Sequence, residues 1–171
     1  MNFTELAKAR YSVRKFSNKP VETEKLNAVL QAARLGPTAK NLQAYHIYVV
    51  NSFEGMEKMR QLTPCHYDAP LVLIFTKNTQ EEWHHPQDPA RTSGVQDASI
   101  VATHAMLAAT EQGLGTCWLN FFIPQEVSRA YNLPDYEIPV LLMPLGYAAE
   151  DCTPADRHQQ RKELSELVSY L

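Results

Sequence analysis

Apolar residues follow two different periods along the chain, one typical of helices and one typical of strands. Between residues 23 and 33 they recur at helical spacing, which predicts a helix that Thr23 caps and that Gly36 ends in a left-handed conformation. The segment 94–112 is apolar nearly all round. A helix of that composition has no polar face for solvent, so we expect it to be buried in the core or in a subunit interface.

The rest of the pattern predicts shorter elements. Further helices are predicted at residues 3–9, 54–62, 124–132 and 164–171. Strands are predicted at residues 46–50, 70–76, 116–122 and 138–145. The second strand is continuously apolar, so we expect it at the centre of the sheet with both faces covered. Because helices open the chain and strict β–α alternation is missing, the order favours an α+β fold.

The connection between residues 78 and 93 is polar and contains proline, together with Trp83, His84 and His85. A connection of this length is typically functional or mobile. We therefore regard residues 83–89 as a candidate lid over a site.

The composition is that of an ordinary globular chain. Its 171 residues fit a single domain, 1–171, with a core large enough to fold without disulfides or metals. The formal net charge is -3 and no basic run exceeds two residues, which argues against nucleic-acid binding. Cysteines and histidines lack disulfide or ligand spacing, so we expect reduced thiols, no metal and a cytoplasmic protein. No segment resembles a signal peptide or a membrane span, so no membrane partner is expected.

Arg10, Ser12 and Arg14 lie at alternate positions of an extended segment, so their side chains share one face. Two guanidinium groups and a hydroxyl on one face suit a phosphate or another anion with several oxygens. A solvated edge explains the same spacing, and spacing alone favours that simpler interpretation. The pair Arg161-Lys162 leaves the same alternatives open, because a cation at the start of the predicted last helix is unfavourable unless an anion joins it.

Taken in order, several segments resemble the nitroreductase family of FMN enzymes. They are Arg10-x-Ser12-x-Arg14-x-Phe16, Gly36-Pro37-Thr38-Ala39-Lys40-Asn41, Asp97-Ala98-Ser99, Gly113-Leu114-Gly115-Thr116-Cys117-Trp118, Pro144-Leu145-Gly146-Tyr147 and Arg161-Lys162. Each motif is weak alone, but together they span almost the whole chain. The resemblance implies a central, mostly antiparallel sheet flanked by helices, in a domain-exchanged homodimer with the flavin at the interface.

The resemblance also implies a role for each matching residue. Arg10, Ser12 and Arg14 would contact the phosphate, ribityl chain and pyrimidine edge of FMN, and Arg161 would return to the phosphate. The residues expected against a flavin bound mainly by the other subunit are Pro37, Thr38, Ala39 and Asn41, and those beside its ring are Trp118, Leu119, Asn120 and Phe121. No catalytic side chain is implied, because the flavin carries the chemistry. In a ping-pong cycle, NADH or NADPH would reduce the flavin and leave before a nitroaromatic, quinone or related acceptor takes the electrons.

Three positions depart from the family pattern. Ala44-Tyr45 stands where the family has Pro-Trp, Asn120 where many members have an acidic residue, and Gln159 where others have a second basic residue. The departures at Tyr45 and Asn120 leave open a flavin-binding or sensing protein that is not a reductase. The long connection around residues 83–89 leaves open a different flavin chemistry on the same fold, such as dehalogenation or flavin fragmentation.

Overall fold

The computed structural model describes residues 1–171. The α-helices are α1 (Phe3–Ala9), α2 (Thr23–Ala33), α3 (Phe53–Leu62), α4 (Gly94–Glu111), α5 (Pro124–Tyr131) and α6 (Leu164–Leu167). The strands are β1 (Tyr45–Val50), β2 (Leu71–Asn78), β3 (His84–His85), β4 (Asp88–Thr92), β5 (Gly115–Thr116) and β6 (Glu137–Gly146). None of the helices combines the length and the apolar character needed to cross a lipid bilayer.

Four of the strands form one antiparallel sheet in the order β1-β2-β6-β5. β2 lies between β1 and β6, with Val72 opposite Val50 and Phe75 opposite Leu141. The first six residues of β2 are buried. The predicted central strand is confirmed, and so is the α+β fold with an antiparallel sheet flanked by helices.

The sheet separates two apolar cores. On one face, α2 and α4 pack against Leu73 and Phe75, and on the other face α3 and α5 pack against Val72 and Ile74. Successive side chains of a strand point to opposite faces. This alternation explains why β2 is apolar at every position, since each of its faces meets a layer of helices.

Gly36 lies where the end of α2 meets α4, and the prediction of a left-handed helix stop at Gly36 is wrong. The glycine with positive φ is Gly113, at 73°. A Cβ on Gly36 would lie 3.2 Å from the Cα of Val101. The glycine therefore permits the close approach of α2 and α4. Thr23 is the first residue of α2 rather than its cap, which is Glu22.

The strand predicted at residues 116–122 is mostly absent, and this prediction is wrong. Pairing with β6 is limited to β5, a hydrogen bond from the N–H of Cys117 to the carbonyl of Pro144 at 3.3 Å, and an isolated bridge between Leu119 and Leu142. The chain then turns, with the N–H of Phe122 donating to the carbonyl of Asn120 at 3.1 Å. The apolar character of Cys117 and Leu119 reflects their burial rather than a continuous strand, and Phe121 is exposed.

The connection at residues 78–93, for which the sequence predicts no elements, contains the antiparallel hairpin β3–β4. The buried carboxylate of Glu82 fixes the base of this hairpin. It accepts a hydrogen bond from the Lys77 ammonium at 2.9 Å and another from the N–H of Gly94, where α4 begins, at 2.9 Å. The pattern missed the hairpin because β4 is polar and mostly exposed, so it has no apolar alternation.

The last predicted helix, 164–171, is shortened to α6. Its apolar side chains and those that follow touch no core, since Leu164 is 70% exposed and Tyr170 is 95% exposed. A helix this short gains too little from its own hydrogen bonds to be stable alone. The apolar side chains of this segment are therefore left exposed in the single chain.

Candidate functional site

Residues 10–16, called the strap below, run in extended conformation beside β5. Val13 is buried, and its N–H donates to the carbonyl of Thr116 at 2.9 Å. Gly115 makes this contact possible, because a Cβ at that position would overlap the Val13 side chain. With Val13 turned into the core, residues 12 and 14 on either side of it face away from the core.

The strap forms one wall of a cavity of about 210 Å³, called the basic cavity below. Its lining residues are Arg10, Tyr11, Ser12, Arg14, Ala155, Arg157, His158 and Arg161. Four of these residues are arginines and none is acidic. The structure therefore brings together four of the predicted residues, Arg10, Ser12, Arg14 and Arg161. Four guanidinium groups around one concave space suit an anion with several oxygens, which a solvated edge would not require.

Arg161 reaches the basic cavity from outside any helix, although the sequence pattern placed it at the start of the last helix. That helix, α6, begins at Leu164. The Arg161 guanidinium donates to the carbonyls of His158 and Gln160, at 2.6 and 2.7 Å. These bonds hold the guanidinium at the cavity without neutralising its charge.

Tyr11, Arg157 and His158 were not among the predicted site residues. The Tyr11 hydroxyl donates to the carbonyl of Cys152 at 3.3 Å, and burial raises the pKa of Tyr11, so this side chain stays neutral. His158 packs edge-on against Tyr11, with the ring centroids 6.3 Å apart. Of these three residues, Arg157 could have been predicted from the sequence, because it is a basic residue four positions before Arg161.

The segment 117–121 leaves the sheet next to the strap. Cys117 and Leu119 are buried, and both backbone groups of Leu119 bond across to β6. Burial raises the pKa of the Cys117 thiol, an effect that the nearby Arg14 guanidinium opposes. Leu119 therefore lies in the core, whereas Trp118 is half-buried and packs against the core, and Asn120 and Phe121 are exposed. The side chains that stay available on this segment are those of Trp118, Asn120 and Phe121.

The turn after α2, residues 37–43, is called the strained loop below because three of its non-glycine residues adopt left-handed conformations. The φ angle is 50° at Lys40 and 54° at both Asn41 and Gln43. Such conformations cost about 1–3 kcal/mol each and persist where the surroundings enforce them, which is common at functional sites. Within the loop, the N–H of Gln43 donates to the Thr38 hydroxyl at 3.0 Å. The N–H of Ala39 donates to a buried carboxylate on α4 at 3.0 Å.

That carboxylate belongs to Asp97, which sequence reasoning did not select as a site residue. Its second oxygen accepts from the hydroxyl of Ser93 at 2.7 Å. The Ser93 oxygen in turn accepts from the N–H of Trp83 at 3.3 Å. Asp97 therefore connects the strained loop, through Ser93, to the base of the hairpin β3–β4.

A second cavity of about 490 Å³, called the hairpin cavity below, opens between the strained loop and the hairpin. Its lining includes Pro37, Thr38 and Ala39 from the loop, Trp83, His85 and Arg91 from the hairpin, and Gln96, Asp97 and Ile100 from α4. Asn41 lies outside it, and the two cavities share no residue. The predicted cofactor residues thus form separate groups within one chain. A larger cavity of about 570 Å³ at the end of α5 contains none of them.

The structure combines an α+β fold that has one antiparallel sheet with an arginine-lined cavity beside the strap and a strained loop after the second helix. Comparison with known chains establishes the class of protein that these features define. The profile of the Nitroreductase family matches residues 7–66 and 64–147. The chain belongs to the nitroreductase family.

Individual relatives agree with this membership. A Methanothermobacter thermautotrophicus protein, provisionally named NADH dehydrogenase/NAD(P)H nitroreductase, is 31% identical over 160 residues, which cover 88% of this chain and 80% of that protein. The crystal structure of a nitroreductase family protein from Clostridium difficile 630 has a TM-score of 0.93 and 38% identity, and the match covers 99% of this chain and 98% of that one. A provisionally named nitroreductase from Exiguobacterium sibiricum 255-15, solved in complex with FMN, has a TM-score of 0.85 over 100% of this chain and 98% of that one. At 19% identity, this last similarity is one of fold.

Proposed function

We propose that this protein is an NAD(P)H-dependent, FMN-containing oxidoreductase that reduces nitroaromatics, quinones or related acceptors. The observation that carries the proposal is the basic cavity, where four arginines and a serine surround a space with no acidic group. Membership of the nitroreductase family and the FMN complex of the Exiguobacterium relative support the identity of the anion.

The residues of the basic cavity fit the phosphate of FMN. A phosphate group is strongly negative at neutral pH and offers several acceptor oxygens, which the paired donors of arginine match. Arg10, Arg157 and Arg161 would hold the phosphate, because the strap and the segment 155–161 face each other across the cavity. Ser12 and Arg14, farther along the strap, would meet the ribityl chain and the pyrimidine edge.

When bound, FMN supplies the electron transfer, in which NAD(P)H, a proton and a quinone give NAD(P)⁺ and a hydroquinone. The protein binds and orients the reactants. Arg14 would place a cation at the pyrimidine edge of the ring, where it would favour reduction of the flavin. Trp118 and Phe121 would offer aromatic surface beside the ring. If the nucleotide and the acceptor used the same face of the ring, they would occupy it in turn, in a ping-pong cycle.

The working unit would be a homodimer of single-domain subunits, residues 1–171, in which the basic cavity of one subunit and the strained loop of the other share each flavin. Two observations support this arrangement. The two groups of predicted residues line different cavities within one chain. In addition, Leu164, Leu167 and Tyr170 expose most of their apolar surface. Burial of these side chains against the partner would remove their apolar surface from water and so stabilise the domain-exchanged dimer.

Anaerobic titration of the FMN-reconstituted protein with NADH and with NADPH, in separate runs, tests the proposed activity. We expect one or both nucleotides to bleach the visible flavin absorbance, and a quinone added afterwards to restore it. A protein that retains no FMN would contradict the proposal. Flavin that stays oxidised with both nucleotides would instead indicate a flavin-binding protein that is not a reductase.

A further inference from the structure

The hairpin cavity combines an aromatic wall with a cation that has no partner in the chain. We propose that, in the oxidoreductase inferred above, this cavity is the acceptor pocket and selects flat aromatic acceptors that carry a negatively charged substituent, with Arg91 recognising the charge. The proposal rests on the proposed function, because it uses the placement of the strained loop against the flavin.

The size and position of the hairpin cavity suit a small acceptor. Its volume of about 490 Å³ falls within the range of roughly 300–1,000 Å³ that is usual for small-molecule sites. One wall is formed by Pro37, Thr38 and Ala39, the residues proposed to lie against the flavin. A molecule held in the cavity would therefore lie beside the cofactor that reduces it.

The aromatic wall consists of Trp83 and His85. They occupy alternate positions at the start of the hairpin, and their rings meet edge to face, with centroids 5.8 Å apart and an interplanar angle of 84°. Ile100 adds apolar surface from α4. Because aromatic rings favour offset-stacked and edge-to-face contacts, this wall suits a flat ring better than a flexible aliphatic chain.

The accessible charge of the cavity is positive. Arg91 lines the cavity from β4 and takes part in none of the ion pairs of the chain. In His85, Nδ1 accepts from the N–H of Gln87 at 3.2 Å, so the neutral ring carries its proton on Nε2 and offers a second donor.

Acidic groups do not cancel this charge. Asp97 is the one acidic residue in the lining, and it is 3% exposed with both oxygens occupied by the Ala39 N–H and the Ser93 hydroxyl. Asp88 belongs to the same hairpin as Arg91 but does not line the cavity. An anionic substituent would therefore meet a guanidinium fork without a competing carboxylate.

The test compares two acceptors of nearly equal shape, 4-nitrobenzoate and its uncharged amide, 4-nitrobenzamide. Calorimetric titration of each into the oxidised, FMN-loaded protein gives the ratio of their dissociation constants, and steady-state kinetics gives the ratio of their kcat/KM values. We expect the wild type to prefer the carboxylate. Arg91→Gln should weaken carboxylate binding about tenfold or more and change amide binding less than about twofold.

Two further variants sharpen the comparison. Arg91→Lys should retain part of the preference, because lysine keeps the charge but loses the paired donors. Arg129→Gln is the matched control, since Arg129 is an exposed arginine on α5 that lines a different cavity. It should leave both ratios unchanged.

Three results would overturn the proposal. Equal losses for both ligands in Arg91→Gln would mean that Arg91 shapes the cavity without recognising charge. Unchanged ratios would place the acceptor elsewhere. If Arg91→Gln altered only the reaction with NADPH, whose 2′-phosphate NADH lacks, Arg91 would be assigned to recognition of the nucleotide. Failure of the protein to oxidise NAD(P)H would contradict the proposed function. Because calorimetry needs no turnover, the ratio of dissociation constants would still decide the role of Arg91.

Discussion

The strap and the strained loop would approach the flavin from two sides, and they are built by opposite means. The strap has an ordinary extended backbone, is tied to β5 through Val13, and presents long cationic side chains. The strained loop contains three left-handed residues, and its Ala39 N–H is held by a buried carboxylate of another element. The strap supplies charge, and the loop supplies a fixed shape.

The two regions should therefore fail differently. The strap keeps its backbone contacts when one of its outward side chains is removed, so such a change should weaken FMN binding and leave the fold intact. The loop depends on Asp97, so removal of that carboxylate should destabilise the protein and disturb the geometry of the site together.

We expect the largest effect from Asp97→Ala. This change leaves the Ala39 N–H and the Ser93 hydroxyl without their acceptor, and each such loss costs about 1–3 kcal/mol. Urea denaturation should show a free energy of unfolding lower by about 2–6 kcal/mol, and relaxation of the loop should lower kcat/KM for the acceptor. Asp97→Asn keeps one acceptor oxygen and should give intermediate values.

Glu137→Ala is the matched control for Asp97→Ala. Glu137 is also buried, and it accepts from the hydroxyls of Tyr48 and Thr76 at 2.7 and 3.1 Å, but it lines neither cavity. Its loss should lower stability by a similar amount while the folded fraction keeps its kcat/KM. Equal kinetic losses in the two variants would show that the strained loop has no special role.

Arg10→Ala should weaken FMN binding about tenfold to a hundredfold, which corresponds to about 1.5–3 kcal/mol for a lost charge-assisted hydrogen bond. Equilibrium dialysis with FMN measures this change. Lys15→Ala is the control, since Lys15 lies on the same strap, pairs with the exposed Asp151 and does not line the basic cavity. Equal retention of FMN by both variants would contradict the assignment of Arg10.

Gly115→Ala should displace the strap, because the added Cβ would overlap the Val13 side chain. Overpacking of this kind costs about 1–3 kcal/mol, and we expect thermal unfolding at lower temperature together with weaker FMN binding. Gly113→Ala is the control two positions away. Gly113 has φ of 73° and nothing within 4 Å of an added Cβ, so its replacement should lower stability and spare FMN binding. Identical binding losses would argue against the contact between Gly115 and the strap.

The smallest effect is expected outside both regions, at Glu22. The hydrogen bond from the Tyr147 hydroxyl lowers the pKa of Glu22 from 4.5 to about 2. Because the folded pKa is lower than the ordinary value, this stabilisation is complete above pH 4.5 and is lost as the pH falls towards about 2. Glu22→Gln should therefore flatten the acid branch of a stability–pH profile slightly and leave FMN binding at neutral pH unchanged. An altered FMN affinity in this variant would contradict the placement of Glu22 outside the FMN site.

The same contrast explains which site residues the sequence could predict. The strap could be found because Arg10, Ser12 and Arg14 are close in sequence, and their alternation is visible in the chain itself. Asp97 could not be found from spacing, because its role is defined by Ala39, which is 58 positions away. Arg91 was not predicted as a site residue for a related reason, since the hairpin that positions it has no apolar period.

For the fold, local periodicity was sufficient where burial is continuous. It identified β2, whose first six residues are all buried, and α4, whose buried residues include Val101, Ala102 and Ala105. It failed where the cause lies in a distant element. Gly36 was assigned a left-handed conformation because the rule for helix ends takes no account of Val101 on the neighbouring helix. In the strand predicted at 116–122, Cys117 and Leu119 are buried against the sheet, whereas Phe121 is 70% exposed.

The measurement that tests the shared site most directly mixes two defective subunits. One carries Arg10→Ala with Arg14→Ala in the strap, and the other carries Asp97→Ala beside the strained loop. Each homodimer has every site damaged, whereas a mixed dimer has one damaged site and one intact site. After co-expression in equal amounts, NAD(P)H oxidation should recover to roughly a quarter of the wild-type value, because half of the dimers are mixed and each mixed dimer has one intact site. No recovery, or flavin retained by a species that sediments as a monomer, would contradict a site built from two subunits.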